Sequence, residues 1–309
     1  MDLDDVDERL VRALQRDGRA SYEALAQHVG LARSTTKARV RRLIDDGGLR
    51  LVGAVHPAVF GLNQLGHVII EVDGPVREVA RAVAEIDETS FVTTAAGRFA
   101  VTAELRTGGL DAFSRGLARV QAVDGVRSVQ VVTYLRIWKD PYFPPGPLKS
   151  PGPLDGIVLD TADHALLEHL RVDGRASFVE LAAVSGLSPG AARARVLRLL
   201  DAGVVHIGAL VRLNPLSRVH TVGFALTFDG AAEPVARRII ELDEVDCLAT
   251  GLGWCNAIGT IRAGSLDGVS TALEDIRSTP GVRSVESWTH LRATKEEHDL
   301  ARPLTSPTP

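Results

Sequence analysis

The sequence predicts an α+β protein in which one two-domain unit is present twice. Three observations lead to this fold class. Short motifs recur at one constant offset, apolar residues at helical spacing open each copy, and strand-like alternation follows them. Each unit is therefore expected to begin with three short helices and to end with a small sheet covered by helices.

The composition limits the class of protein. A chain of 309 residues, 45% of them hydrophobic, can form two to four domains with ordinary cores. No apolar run reaches the roughly 18 residues that a membrane-spanning helix needs, and the acidic first residues do not resemble a signal peptide. Cys247 and Cys255 lack metal-site and disulfide spacing, so a reducing cytoplasm is the expected location. The net charge of −4 disfavours nucleic acid only weakly, because the distribution of charge decides that point.

The duplication rests on motifs that return 156 residues later. Aspartate, glycine, arginine, alanine and serine follow one another in both copies, and two further segments repeat with the same offset. The register slips by one residue where Gly47 and Gly48 face the lone Gly203, and then recovers. Two copies of so long a unit indicate a duplicated two-domain protein rather than a solenoid. The matching segments are 17–21 with 173–177, 37–40 with 193–196, and 125–129 with 281–285.

The copies are separated by a proline-rich segment, which favours extended backbone and excludes helix and central strand. The last residues are polar and rich in proline, and are expected to fray. The predicted division is a helix-turn-helix domain at 1–52, a ferredoxin-like sensing domain at 53–139, a linker at 140–157, a second helix-turn-helix domain at 158–208, a second sensing domain at 209–295 and a tail at 296–309.

The first helix of each copy is predicted from its cap and its periodicity. Asp4 can cap the helix, and Asp7 follows three residues later at the positive end of the helix dipole. Leucine and valine then recur at helical spacing. The second copy repeats the two aspartates as Asp160 and Asp163, and Gly18 and Gly174 are predicted to end the helices.

The second and third helices form the helix-turn-helix pattern. Ser21 and Ser177 are expected to cap the second helix, the latter in a capping box with Glu180. Gly30 and Gly186 supply the tight turn, where a positive φ costs glycine little. The third helix is predicted at about 33–46 and 189–202, with Ser188 as a cap and Pro189 at its first position.

The second helix of this motif, which is the third helix of each copy, enters the DNA major groove and meets base edges with its N-terminal residues. Here it carries a local positive stripe that the overall charge conceals, and phosphate contacts dominate DNA affinity. The alternatives are a solvated basic face without a partner and, for Arg39 and Arg195, support of the fold from the inner side of the helix. The candidate DNA-binding residues are Arg33, Ser34, Thr35, Thr36, Lys37, Arg39 and Arg42 in the first copy, and Ser188, Arg193, Arg195 and Arg198 in the second.

From Gly66 the apolar period changes to that of strands. The order strand, helix, strand, strand, helix, strand is the ferredoxin-like βαββαβ arrangement, which hosts many functions. The predicted elements are 67–72, 75–86, 91–94, 99–105, 110–123 and 127–138, and the second copy matches them over 221–292.

These motifs, in this order, resemble the Lrp/AsnC family of bacterial and archaeal regulators. The resemblance rests on Leu3-Asp4-x-x-Asp7, Asp17-Gly18-Arg19, Leu25-Ala26, Gly30-Leu31, Arg39-Val40-x-x-Leu43 and the Gly97 turn, with counterparts in the second copy. It implies two winged/helix-turn-helix domains that bind double-stranded DNA. It also implies two RAM/ACT-like domains that sense amino acids or related metabolites at contacts between subunits. Family members usually carry one unit per chain and assemble as dimers or rings.

The turn between the middle strands departs from the family pattern. The family often has Gly-x-Tyr-Asp there, whereas both copies lack the acid, and the usual threonine of the last strand becomes Val131 and Ser287. A free amino acid needs partners for both of its charges, so these losses argue against a plain amino-acid effector. Glycines in these turns still allow close approach of a ligand. The predicted effector site comprises Thr94, Gly97, Arg98, Thr250, Gly253, Trp254, Asn256 and Ser287.

Two other functions fit the same architecture. One is a fused enzyme resembling sirohaem decarboxylases, which would need histidine and arginine side chains around one large pocket. The residues available for it, His67, His220, His290 and Arg98, show no coherent set in the sequence. The other is a ligand-binding module without DNA activity. No zinc-ligand spacing occurs, so neither a metal nor another cofactor is expected, and a non-enzymatic regulator is the preferred interpretation.

The duplication also predicts how the chain assembles. A linker of about 18 residues can reach roughly 50 Å, and the high local concentration favours pairing of the two sensing domains within one chain. Further association into homo-oligomers is expected from the family, and no membrane partner is expected. The two DNA-reading helices are predicted to be unequal, because residues 34–36 carry hydroxyls where residues 190–192 are glycine and alanine.

Overall fold

The computed structural model describes residues 4–46, 49–140, 157–211 and 219–296. The predicted linker and tail lie outside these residues, apart from their boundary positions. The first half contains α1 (Asp5–Arg16), α2 (Tyr22–Val29), α3 (Arg33–Asp45), β1 (Leu49–Val55), a 3-10 turn (Pro57–Phe60), β2 (Gln64–Val72), α4 (Val76–Ala84), β3 (Thr89–Ala96), β4 (Val101–Thr107), α5 (Leu110–Gln121) and β5 (Val126–Lys139).

The second half repeats this order, which confirms the predicted duplicated α+β architecture. Its elements are α6 (Thr161–Val172), α7 (Phe178–Ser185), α8 (Pro189–Asp201), β6 (Val205–Val211), β7 (His220–Phe228), α9 (Ala232–Ile240), β8 (Val245–Gly253), β9 (Ala257–Ala263), α10 (Leu266–Ser278) and β10 (Val282–Glu296). None of the described helices combines the length and the apolar character needed to cross a bilayer.

The helix caps follow the sequence closely. The Asp4 carboxylate accepts from the Asp7 amide at 2.8 Å, and Ser177 and Glu180 form the predicted capping box. The turn glycines Gly30 and Gly186 both adopt the left-handed conformation, with φ of 73° and 70°. Local interactions therefore fix where these helices begin and how the helix-turn-helix bends.

Gly18 and Gly174 do not end their helices in the predicted way. The helices stop two residues earlier, at Arg16 and Val172. The Gly18 amide instead donates to the Ile207 carbonyl at 2.7 Å, and a Cβ at Gly18 would lie 2.9 Å from that oxygen. These glycines are needed because a strand of the other half approaches their backbone, not because a helix terminates there.

That strand belongs to a pair that the sequence did not predict. β1 and β6 run antiparallel across the two halves, with Val52 opposite Gly208. The predicted domain boundaries at 52/53 and 208/209 fall inside these two strands. The α6 helix packs on β1 and α1 packs on β6, so the ladder joins the two helical domains.

The two sheets close into one barrel with the strand order β10-β3-β4-β2-β5-β8-β9-β7. The long strands β5 and β10 produce this closure, because each pairs with its own sheet along its first part and with the other sheet along its second part. The pairing predicted between the two sensing domains thus occurs within the one chain.

The helices of the two sensing domains pack on the outside of the barrel and form one apolar core on each side. A third core lies inside the barrel and includes Ile69, Phe99, Val132 and Trp288. Residues that alternate along each strand therefore belong either to a helix-covered core or to the barrel interior. The interior is the part of the fold that both copies build together.

Candidate functional site

The two helical domains contact each other through the repeated Asp-Gly-Arg motif. The Arg19 guanidinium donates through Nε to the Gly174 carbonyl at 3.0 Å, and Arg175 donates to the Gly18 carbonyl at 2.7 Å. Each guanidinium also lies over an aromatic ring of the other domain, at 5.0 Å for Arg19 over Phe178 and 5.1 Å for Arg175 over Tyr22. These reciprocal contacts fix the spacing of α3 and α8.

The exposed face of α3 is basic and hydroxyl-bearing. Arg33, Ser34, Thr35 and Lys37 are all exposed. Its first turn contains no acidic side chain, so the positive end of the helix dipole is unopposed there. This face can offer hydrogen bonds and positive charge to an anionic partner.

The corresponding face of α8 is poorer in polar groups. Gly190, Ala191 and Arg193 are exposed, and the Ser188 hydroxyl caps the helix by accepting from the Ala191 amide at 3.2 Å. Leu197, at the position of Arg41 in the first copy, is 39% exposed. The exposed faces of α3 and α8 therefore differ in chemistry although the two helices have the same backbone conformation.

Thr36 does not lie on the outer face. Its side chain is buried, and its hydroxyl donates to the Ala32 carbonyl at 3.1 Å. It shares the inward face of α3 with Val40 and Leu43. A contact between Thr36 and a base is therefore sterically excluded, which corrects the prediction for this residue.

Four predicted DNA-binding arginines are held by acidic side chains of the first helix in each copy. Arg39 contacts Asp4 at 2.6 Å and Asp7 at 3.0 Å, and Arg42 also pairs with Asp7. The carboxylate of Asp7 is only 1% exposed, so these arginines compensate a buried charge. The second copy repeats the arrangement with Arg195 and Arg198 around Asp160 and Asp163.

This geometry supports the alternative that Arg39 and Arg195 stabilise the fold. The Arg195 hydrogen bond lowers the pKa of Asp160 to about 2, and the pKa of Asp4 is lowered in the same way by Arg39. The aspartate spacing and the arginines on the third helix were both visible in the sequence, but their pairing depends on how the first and third helices cross.

The predicted effector residues lie along the seams of the barrel, and several are engaged within the protein. The Thr250 hydroxyl accepts from the Trp138 indole at 2.9 Å, and the Asn256 side chain accepts from the Phe228 amide at 3.0 Å. Arg98 forms ion pairs with Glu71 at 3.5 Å and Glu286 at 3.6 Å.

The other predicted effector residues divide between the seam and the surface. A Cβ on Gly97 would lie 3.3 Å from that of Trp288, and Gly253 abuts the Val131 carbonyl. Thr94 is buried, whereas Ser287 is exposed. The eight residues therefore do not surround one opening, and Gly97 with Trp254 borders the barrel interior.

The barrel interior contains an aromatic group from both copies. The Trp288 ring lies 6.4 Å from that of His67, 6.3 Å from that of His290 and 6.1 Å from that of Phe99. Trp254 packs on Phe99 at 5.7 Å. No coherent histidine set is visible in the sequence, and the structure corrects this by bringing His67 and His290 into one interior. The Arg98 guanidinium lies over the Phe99 ring at 5.1 Å, whereas His220 shares the helix-covered face of β7 with Val222 and Phe224.

Buried polar atoms of these side chains and of Thr102 on β4 lack hydrogen-bond partners among the described residues: His67 Nε2, Thr102 Oγ1, Trp254 Nε1, Trp288 Nε1 and His290 Nδ1. Burial lowers the pKa of His67 to about 4 and that of His290 to about 3, so both imidazoles are neutral at pH 7. The Tyr134 hydroxyl donates to Glu104 at 3.3 Å and lies 3.5 Å from His67 Nδ1.

The buried histidines give a stability prediction. Because their folded-state pKa values lie below the ordinary 6.5, the unfolded chain binds more protons between pH 6.5 and 4. The contribution of the neutral histidines to the free energy of unfolding is therefore fully present above pH 6.5 and is lost as the pH is lowered. For His67 the loss is about 2 kcal/mol at pH 5. Urea unfolding at pH 7, 6 and 5 measures this dependence.

The H67F variant should show a flatter dependence on pH than the original chain, and H220Q, which replaces a histidine outside the barrel interior, should retain the original slope. A free energy of unfolding that stays constant from pH 7 to pH 5 would contradict the assignment of buried neutral imidazoles.

No three histidine, cysteine, aspartate or glutamate side chains of the described residues are grouped as metal ligands would be. Both described thiols are free, with Cys255 buried and Cys247 half-buried.

Comparison with known proteins identifies the helical domains. A model of the AsnC-type helix-turn-helix domain matches residues 3–44 and 159–200. The transcriptional regulator LrpA of Mycobacterium tuberculosis is 33% identical over 131 residues, which are 41% of this chain and 87% of LrpA. The regulator FL11 of Pyrococcus furiosus is 28% identical over 140 residues, or 45% of this chain and 93% of FL11. Each relative thus corresponds to one copy of the duplicated unit.

The duplicated arrangement also has a counterpart among solved structures. The siroheme decarboxylase NirDL aligns with this chain at a TM-score of 0.58 and 15% sequence identity. The alignment covers 94% of this chain and 92% of the NirDL chain. At this identity the similarity establishes a common fold alone. A second NirDL structure, in complex with an iron-uroporphyrin III analogue, has a TM-score of 0.57 and covers 95% of this chain.

Proposed function

Because the chain belongs to the Lrp/AsnC family of transcription regulators, we propose that its two helical domains bind the two half-sites of one DNA operator. The observation that carries the proposal is the pair of helices α3 and α8, which expose cationic side chains while Arg19 and Arg175 lock the two domains together. A rigid pair of reading heads suits two half-sites on one face of a duplex.

Individual residues have different roles in this proposal. Arg33, Lys37 and Arg193 contact phosphates or base edges, and the exposed hydroxyls of Ser34 and Thr35 contact base edges. The paired arginines Arg39, Arg42, Arg195 and Arg198 mainly orient their helices through the first-helix aspartates. The second domain of each copy responds to a small-molecule effector, and further chains associate with this one.

Footprinting with the full chain on the DNA upstream of its own coding sequence tests the proposal. We expect one protected region that contains two half-sites, with centres one helical turn or a small multiple of it apart. Uniform weak protection that vanishes at 200 mM salt would indicate non-specific binding and would contradict operator recognition.

The unequal helix faces predict an unequal operator. Ser34 and Thr35 can hydrogen-bond base edges, whereas Gly190 and Ala191 offer at most a methyl contact. Single base changes should therefore cost about 1–3 kcal/mol in the half-site under α3 and less than about 1 kcal/mol in the half-site under α8. Binding titrations across both half-sites at one salt concentration measure the penalties. Equal penalties on the two sides, or stricter reading under α8, would disprove this asymmetry.

A second candidate function is decarboxylation of a tetrapyrrole. It is favoured by the meeting of His67 and His290 in one interior and by the fold that the chain shares with NirDL. Against it, the Trp288 indole fills the space beside Gly223, where a Cβ would lie 2.2 Å from the ring. Titration with an iron-uroporphyrin discriminates: a saturable spectral change that H67L and H290L abolish, together with absence of DNA binding, would favour the enzyme.

A further inference from the structure

The barrel interior combines apolar walls with buried polar atoms that have no protein partner. His67 is 9% exposed, Trp288 3% and Thr102 fully buried, and each has one unpartnered polar atom among the residues described. A buried donor or acceptor left unsatisfied costs about 1–3 kcal/mol. Native proteins keep few such atoms, and several inside one barrel indicate a position where another molecule supplies the missing hydrogen bonds.

The charged side chains near the barrel interior indicate what kind of molecule fits. Glu104 pairs with Arg106, and Asp246 lies 3.4 Å from Arg262, so the acids and bases at this level compensate one another. Both histidines are neutral at pH 7 because burial lowers the pKa of each. Arg98, which lies over the Phe99 ring, is likewise paired with Glu71 and Glu286. Because these charged side chains already have partners of opposite sign, the desolvation of a carboxylate or an ammonium group of a ligand would not be offset by them.

The aromatic side chains of the barrel interior indicate the shape of the molecule. Phe99, Trp254 and Trp288 pack at ring distances of 5.7 and 6.1 Å, and Phe91 approaches His290 at 6.0 Å. Such faces stack on a flat aromatic molecule. The polar atoms between them include the Trp288 Nε1–H, which can only donate, and imidazole nitrogens, which can accept.

The barrel interior is not symmetric although the chain is duplicated. At the pseudo-equivalent positions, His67 corresponds to Gly223, Trp288 to Val132 and Thr102 to Ile258. The exchange is complementary, because the missing side chain of Gly223 makes room for the Trp288 indole. The unpartnered atoms therefore build one site and not a related pair.

We propose that the barrel interior binds one flat, uncharged heteroaromatic molecule, which accepts a hydrogen bond from the Trp288 indole and exchanges hydrogen bonds with the imidazoles of His67 and His290. This ligand differs in chemistry from a zwitterionic amino acid. Its site lies inside the barrel, whereas the sequence predicted an effector site at the turns between the middle strands. Binding itself is independent of DNA, and only its role as the effector rests on the proposed regulator function.

The test uses the full chain labelled with ¹⁵N-tryptophan at pH 7.5, with indole, benzimidazole, purine and quinoline as probes. We expect at least one probe to shift the Trp288 indole N–H resonance saturably. The Trp138 resonance, whose N–H is bonded to Thr250, should not move. Resonances are assigned with single tryptophan-to-phenylalanine variants. H67L and H290L should each weaken binding about tenfold or more, and H220L should not.

Three outcomes would overturn the site: no probe shifts Trp288, H67L and H290L bind as the original chain does, or L-leucine and L-tryptophan bind more tightly than the neutral probes. Displacement of a bound probe by an iron-uroporphyrin would assign the interior to the second candidate function instead. Operator affinity measured with and without the probe is a separate readout. A saturable Trp288 shift in a chain that does not bind DNA supports the site and contradicts the regulator.

Discussion

Replacement of both Arg33 and Lys37 by alanine is expected to lower operator affinity about 100-fold. Both side chains are exposed on α3, and no acid lies in the first turn of this helix. A cation that contacts a phosphate or a base edge contributes about 1–3 kcal/mol, and a loss of about 1.4 kcal/mol at each of the two positions gives this factor. Fluorescence anisotropy with the footprinted DNA measures the change.

Two further readouts separate recognition from general charge effects. The slope of log K against log salt should decrease by about 2 in R33A/K37A if both cations contact phosphates, because each contact releases about 0.9 counterion. R115A, which removes an exposed arginine of α5, is the matched control and should bind as the original chain does. R193A should have the smaller effect expected of the second head. Undiminished affinity of R33A/K37A would exclude α3 as a reading helix.

The helices of both reading heads could be predicted because their signals are local. Asp4, Ser21 and Ser188 cap helices whose first turns begin at the next residue, and the structure places these caps as predicted. The burial of Thr36 was also encoded locally, since it precedes Val40 and Leu43 by four and seven residues. The helical period therefore places Thr36 on the buried face of α3, although a threonine hydroxyl is a group that can bind a base edge.

The strands β1 and β6 could not be predicted in the same way. Each pairs with a segment at least 150 residues away, as with Gly53 and Ile207, so no hairpin turn marks the register of the pair. The importance of Gly18 and Arg19 follows from that pairing. The repeated Asp-Gly-Arg motif was recognisable, but its function as a clamp between two domains depends on contacts that only the fold creates.

The barrel interior depends on the same kind of long-range information. His67 and His290 come from different copies and face one interior only because β10 crosses from its own sheet to β3. Without the register of that crossing, the histidines are scattered residues. The alternation of each strand could indicate which residues share a face, but not which two faces meet.

Replacement of Gly251 by alanine is expected to open the seam between β5 and β8 and to lower the free energy of unfolding by about 3 kcal/mol. Gly251 is buried opposite Tyr134, and an added Cβ would lie 2.2 Å from the Thr133 carbonyl oxygen and 2.8 Å from Val132 Cγ1. Overpacking usually costs about 1–3 kcal/mol. The upper end applies here because the nearest atom belongs to the backbone of a paired strand and cannot rotate away.

Urea unfolding followed by tryptophan fluorescence measures the effect, with Gly264→Ala as the control in the same sensing domain. A Cβ on Gly264 meets no heavy atom within 4 Å, so G264A should unfold within about 0.5 kcal/mol of the original chain. The first copy has Ala95 at the position of Gly251, opposite His290, so the β3–β10 seam already accommodates a methyl group. The loss of unfolding free energy in G251A should therefore come from the β5–β8 seam alone. A urea midpoint equal to that of G264A would show that β5 and β8 are not in the close register described.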